Sequence, residues 1–483
     1  MTAVLLTSAM SVSAQIQRPR LVVGIVVDQM RWDYLYQYYD MWDSGGFKRL
    51  LGEGYSCANT MIDYVPTVTA CGHASVYTGT TPAIHGIAGN DYMLNGQPTS
   101  SVKDTTVTGV GTTGKVGHRS PRNLLVTTLG DQMKLATRDQ ARAVGISLKD
   151  RAAILPAGHG ADGAYWYDND THQFVTSTYY RTELPKWVKD FNKSHKKQLA
   201  RDVWKDRVGV AMTFGMARAA LKAEKLGHDA VPDLLAISVS TTDAAGHEFG
   251  AMSAEMTPIY AQLDTELAEL LKVLDKEVGQ GNYLVFLTAD HGGTYSEPHM
   301  QARRMMSGRF YSNTTLEETN AQLQHRFGVA DLLRTQMGYT FYLNNDAIAR
   351  AGLDRDAVKT AIVDIMGNRP EVMWAVDAER VNEASIPQEI RERIIKGYHH
   401  KRSGEIFVMP VTGYYSSWSG DERGTQHGSW NQSDSHIPLL FYGWHVPHGE
   451  KTTLTHMTDI APTVCAMLHI QAPDGCLGQP IEF

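Results

Sequence analysis

Apolar residues along this chain gather in short continuous runs that end in carboxylates. Leu21 to Asp28 reads LVVGIVVD, a β-branched stretch suited to a strand buried on both faces of a parallel sheet. PDLLAISVSTTD ends at Asp243, NYLVFLTADHG carries Asp290 and His291, and HIPLLFYG (His436 to Gly443) is a fourth such run. Between them the period changes: in Pro258 to Val278, Leu263, Leu267, Leu270 and Leu274 keep one stripe at helical spacing, and Met457 to Ile470 is a second helix candidate. Strands alternating with helices predict an α/β fold with a mostly parallel central sheet sandwiched by helices. Ligands of such sheets bind beyond the carboxyl ends of the strands, where these carboxylates stand.

Two stretches break the alternation. AYWYDNDTHQFVTSTYY (Ala164 to Tyr180) has aromatic and β-branched runs around Asp168-Asn169-Asp170, the pattern of a hairpin inserted near the site. From Leu316 to residue 418, strand-like YTFYLN, a helix over Asp354 to Met366, VMWAVD and EIFVMPVTGYY predict a compact α+β cap. The expected organisation is one catalytic domain over residues 15–483, with insertions at about 160–210 and 316–418.

A chain of 483 residues that is 42% hydrophobic and 20% charged has ample apolar surface for a packed enzyme. Its formal net charge of -7 argues against a general nucleic-acid binder. Residues 1–14, ending in Val12-Ser13-Ala14, read as a signal peptide and predict a periplasmic or secreted protein. No later run is long and apolar enough for a membrane span. The four cysteines form no C-x-x-C pair, so any metal falls to His, Asp and Glu. An oxidising compartment permits Cys465 to pair with Cys476, though spacing alone does not decide it.

The candidate chemistry lies at the predicted strand ends. STTDAAGHEFG places Asp243 and His247 four residues apart, ADHGG makes Asp290 and His291 adjacent, VVDQMRWD supplies Asp28, and GTQHGSW supplies His427. Each alone suits a cap or a structural hydrogen bond. Together, three carboxylates and three imidazoles are what two borderline cations with open positions need, and burying them unpaired is costly.

The motifs VVDQMRWDYL, PTVTACGH, PAIHGIAGND, SLKDRAAILPAGH, STTDAAGHEFG, LTADHGG and GTQHGSWNQSDSHIPLLFYG, in this order, resemble the alkaline phosphatase superfamily, most closely its phosphate-irrepressible PafA-type members. The resemblance implies two Zn2+ per chain: Asp243, His247 and His427 would hold one, and Asp28, Asp290, His291 and the Thr69 hydroxyl the other. It also implies that Thr69 is the nucleophile and selects it over Thr67. Physical chemistry agrees, because a threonine hydroxyl needs activation and Thr69 opens an apparent helix, ACGHASVYTG, whose amide end favours a phosphate group. A sulfatase frame of the C-x-P-x-R kind is absent, since the sequence after Cys71 runs CGHAS. Cys71 is expected to be buried packing, and His73 a hydrogen-bonded structural residue.

Lys149 and Arg151 follow strand-like AVGISL at alternate positions, so an extended segment there points both the same way. In the resembled phosphatases, residues matching Asn90, Lys149 and Arg151 bind phosphoryl oxygens, and diesterase relatives lack the Lys/Arg pair. The implied function is a phosphomonoesterase that hydrolyses small-molecule phosphate monoesters through a phosphothreonine and releases inorganic phosphate. The alternative is a phosphodiesterase or nucleotide pyrophosphatase with similar zinc ligands. A monomer is expected.

Overall fold

The computed structural model describes residues 17–417 and 423–483. The expected signal peptide and the end of the expected cap at residue 418 lie outside the described residues.

A ten-stranded sheet forms the centre. From one edge its strands are Gly449–Lys451, Tyr55–Cys57, Leu439–Gly443, Tyr283–Thr288, Leu21–Val27, Asp233–Val239, Ala143–Ile146, Gly163–Asp168, Gln173–Ser177 and Gly109–Val110. The five from Tyr283–Thr288 to Gly163–Asp168 run parallel to one another. Every residue of Leu21–Val27 and Asp233–Val239 is buried, as strands covered on both faces require. The run ending at Gly443 joins the sheet from Leu439 and runs antiparallel to Tyr283–Thr288. The Ala164 to Tyr180 segment forms the expected hairpin, and its first strand continues the central sheet alongside Ala143–Ile146.

Helices Val208–Ala223 and Met256–Leu274 pack on each other, and Leu263, Leu267, Leu270 and Leu274 are fully buried as their spacing predicts. Helix Thr69–Thr78 is buried on all sides and packs against helix Asp150–Ala157. It approaches the sheet closely at Gly72, where a Cβ would stand 2.1 Å from the Asp290 carbonyl oxygen. Only glycine lets the helix start lie against the strand end that carries Asp290.

The α+β insert is present, with its own core around Phe341, Ile362 and Val408. Its antiparallel sheet orders Leu333–Met337, Thr340–Leu343, Ile406–Pro410 and Val372–Asp377. The chain enters through Gly308–Tyr311 and leaves through Tyr414–Ser417, which pair in parallel, so the excursion begins before Leu316. All four cysteines are free thiols. No helix among the described residues is long and apolar enough to cross a membrane.

Candidate active site

The parallel strands deliver the carboxylates to one rim. Asp28 follows Leu21–Val27, Asp290 lies two residues beyond Tyr283–Thr288, and Asp243 sits in the first turn of helix Thr241–Phe249 just after Asp233–Val239. All three are buried. Asp28, Asp290 and His291 offer ligand atoms within 4.8 Å of one another, and so do Asp243, His291 and His427. The His291 ring therefore stands between the two groups. His247 joins the second through its Nε2, 3.2 Å from Asp243 Oδ1, an oxygen that also lies 3.6 Å from His427 Nε2.

The imidazoles are aimed by backbone carbonyls. Nδ1 of His247 lies 2.8 Å from Thr425 O, Nδ1 of His427 2.8 Å from Thr67 O, and Nδ1 of His291 2.8 Å from Gly292 O. A carbonyl oxygen only accepts, so each Nδ1 carries the proton and each Nε2 presents a lone pair inward. Burial holds His291 below the usual imidazole range and His427 well below it, which keeps both neutral and able to bind a cation.

Thr69 opens helix Thr69–Thr78 and is 1% exposed. Its Oγ1 lies 3.5 Å from His291 Nε2 and 3.3 Å from Lys149 Nζ. Asn90 stands beside it, accepting the Ala70 N–H at 2.9 Å through Oδ1. Thr67 is engaged elsewhere, its hydroxyl donating to Ser429 O at 2.9 Å while its carbonyl fixes His427. Cys71 is buried with Sγ 3.1 Å from Ile87 O, and burial pushes its thiol far above the usual value. His73 lies between Thr69 O at 2.9 Å and Ser238 Oγ at 2.8 Å, and its Nδ1 is 3.3 Å from Asp290 Oδ2.

Lys149 reaches the centre, with Nζ 2.6 Å from Asp28 Oδ2 and 2.5 Å from Asp243 Oδ2. Burial opposes its charge, but Asp243 and Asp28 outweigh it and raise the ammonium above the usual lysine value. The expected alternation with Arg151 does not form. Lys149 caps helix Asp150–Ala157 and Arg151 lies in its first turn, so the segment is helical where an extended run is predicted. Arg151 makes one ion-pair contact among the described residues, with Asp150 at 3.8 Å, and its charge bears on Lys149.

The donor set fits divalent cations. Three buried carboxylates face one ammonium, and Asp28 Oδ1 has no hydrogen-bond partner. Burial and Asp290 push the Asp28 carboxyl well above the usual range, whereas Asp243, opposed by burial, is held well below it by His247 and Lys149. Mixed oxygen and imidazole donors of this kind suit zinc-like ions. Gln29, which the motif VVDQMRWD contains but its chemistry does not advertise, donates from Nε2 to Asp243 Oδ1 at 2.7 Å. Its position immediately after a strand-end aspartate was the available signal.

The sequence matches the family described as type I phosphodiesterase / nucleotide pyrophosphatase over residues 22–430, and the chain belongs to that family, within the alkaline phosphatase superfamily. Its similarity narrows further to alkaline phosphatases of the PafA type. It is 44% identical to alkaline phosphatase PafA of Elizabethkingia meningoseptica over 96% of this chain and 94% of that protein. The crystal structure of wild-type PafA superposes with a TM-score of 0.93 at 43% identity, covering 97% of this chain and 99% of that one. Alkaline phosphatase PhoV of Synechococcus elongatus is 40% identical over 96% of this chain and 93% of its own length. A protein named calcium-transporting ATPase from Myroides odoratus is 42% identical over 98% of this chain and 96% of its own length.

Proposed function

We propose that the chain is an alkaline phosphatase that hydrolyses phosphate monoesters, with Thr69 as nucleophile and two zinc ions as cofactors. The observation that carries this reading is the buried Thr69 hydroxyl at a helix start, 3.5 Å from Nε2 of His291, the residue that belongs to both ligand groups. Asp243, His247 and His427 would hold one ion, and Asp28, Asp290 and His291 the other. Bound there, the pair supplies Lewis acidity, lowering the pKa of a hydroxyl and neutralising charge on the leaving oxygen.

The remaining work falls to the protein. Thr69 loses its proton as its Oγ1 bonds to phosphorus, the ester P–O bond breaks, and the leaving alkoxide takes up a proton. A phosphothreonine results. Water then attacks phosphorus, giving up a proton as the Thr69 Oγ1–P bond breaks, which restores the hydroxyl and frees inorganic phosphate. The amide end of helix Thr69–Thr78 favours the phosphoryl charge, as do the Lys149 ammonium and the Asn90 amide; Arg151 adds a positive charge from the adjoining helix turn. A monoester dianion exposes more charge to these donors than a diester does.

The family's description favours a second reading, a diesterase or pyrophosphatase. Rates on an aryl phosphate and on its methyl diester separate the two. The monoester is expected to be the better substrate by orders of magnitude, and a preference for the diester overturns the assignment of Lys149 and Arg151. The expected leader over residues 1–14 supports export to the periplasm or beyond, which fractionation of the expressing cells tests.

A further inference from the structure

We infer that Gln29 is a positioning residue that sets the spacing between the two ligand groups. The inference rests on the two-cation reading above. Gln29 follows Asp28 and is 5% exposed. Its backbone N–H donates to Asp290 Oδ1 at 3.2 Å, and its side-chain Nε2 donates to Asp243 Oδ1 at 2.7 Å. A carboxylate accepts only, so the amide nitrogen faces Asp243 and Oε1 faces away. One residue thus grips a carboxylate of each group, and its chain neighbour is a third.

The gripped oxygen matters. Asp243 Oδ1 is the atom 3.2 Å from His247 Nε2 and 3.6 Å from His427 Nε2, so fixing it fixes the point where three donors converge. Thr242 reinforces the same junction, its hydroxyl donating to the Asp28 carbonyl at 2.6 Å.

The backbone and its surroundings are built to admit this side chain. Gln29 has φ 63°, the left-handed region that residues with a Cβ seldom adopt, and such strain persists only where neighbours enforce it. Two glycines clear its path: a Cβ on Gly246 would stand 2.0 Å from Gln29 Oε1, and one on Gly293 3.1 Å from its Cγ. Gly246 lies between Asp243 and His247, and Gly293 two residues after His291, so both ligand-bearing segments are cut back around the amide. An apolar side chain of equal bulk fills the space but donates nothing to Asp243. Partners that orient metal ligands in this way typically govern metal affinity by about 10–100-fold.

The test uses the full chain carrying Gln29→Gly, which relaxes the left-handed backbone while removing the amide, and Gly246→Ala, which crowds the amide while leaving residue 29 a glutamine. Zinc content after dialysis, zinc affinity by competition with a chromophoric chelator, and the visible spectrum of the cobalt(II)-substituted protein are compared with wild type. Both variants are expected to bind at least one zinc about 10–100-fold more weakly and to alter the cobalt bands, with the far-ultraviolet circular dichroism unchanged. Wild-type affinity for both ions and a wild-type cobalt spectrum in either folded variant overturn the inference. Should Gln29→Gly not fold, Gly246→Ala alone decides it. A wild-type protein that binds no zinc overturns the two-cation reading itself and this inference with it, whereas two zincs in wild type and unaltered variants overturn this inference alone.

Discussion

The Lys149 ammonium lies 3.3 Å from the Thr69 hydroxyl oxygen, and it reaches there by bridging Asp28 and Asp243. Under the proposed mechanism, a positive charge so close to the nucleophile would meet the non-bridging oxygens of the phosphoryl group as it transfers. Lys149→Met is therefore expected to lower kcat/KM on an aryl phosphate by about 100–1000-fold, the usual cost of one preorganised donor. The methyl diester, with less charge to stabilise, is expected to lose far less. Equal losses on the two substrates would deny Lys149 its role in monoester preference.

Thr67 and Thr69 are two residues apart and differ in every contact. Thr69→Ala is expected to reduce turnover to background, while Thr69→Ser retains a hydroxyl and part of the rate. Thr67→Ala removes only a hydrogen bond to Ser429 O and is expected to cost about 1 kcal/mol of stability, read by denaturant titration. Loss of turnover in Thr67→Ala with unchanged stability contradicts this division.

Binding of divalent cations to the folded chain alone adds to its stability. Exhaustive chelation is expected to abolish turnover and lower Tm by several degrees, and zinc is expected to restore both. A Tm indifferent to chelation, with activity intact, speaks against the ligand groups.

His85 offers a pH test away from the site. It is fully buried, with Nδ1 accepting from the Ile87 N–H and Nε2 3.1 Å from Ser75 Oγ. Burial, helped by Arg402 and His399, lowers its pKa from 6.5 to about 3. The unfolded chain then binds a proton below pH 6.5 that the folded chain refuses, so this stability is present above pH 6.5 and drains as pH falls toward 3. The slope is about 1.4 kcal/mol per pH unit across that window. His85→Gln is expected to show a shallower loss of Tm between about pH 6.5 and 4 than wild type. Parallel curves for the two proteins refute it.

Much of the architecture was legible because its signals are local. Continuous β-branched runs betrayed strands covered on both faces, and a leucine stripe betrayed a helix packed into the same core. Asp243 and His247 read only as four residues apart at a strand end; the structure puts both on helix Thr241–Phe249 and joins them at 3.2 Å. Three matters were not legible. The run ending at Gly443 lies antiparallel, and an apolar run carries no direction. Lys149 and Arg151 do not share one extended segment, because a helix begins between them at Asp150, where the residues allow either conformation. The carbonyls of Thr67 and Thr425 that orient His427 and His247, and the amide of Gln29, act across 360, 178 and 214 residues of chain, which no local pattern encodes.

The most direct test of the central claim is to quench turnover of a phosphate monoester with acid and map the phosphorylated peptide by mass spectrometry. The account predicts a single phosphate on Thr69, absent from Thr69→Ala. Phosphate on Thr67 or another residue, or undiminished turnover by Thr69→Ala without any phosphopeptide, would contradict it.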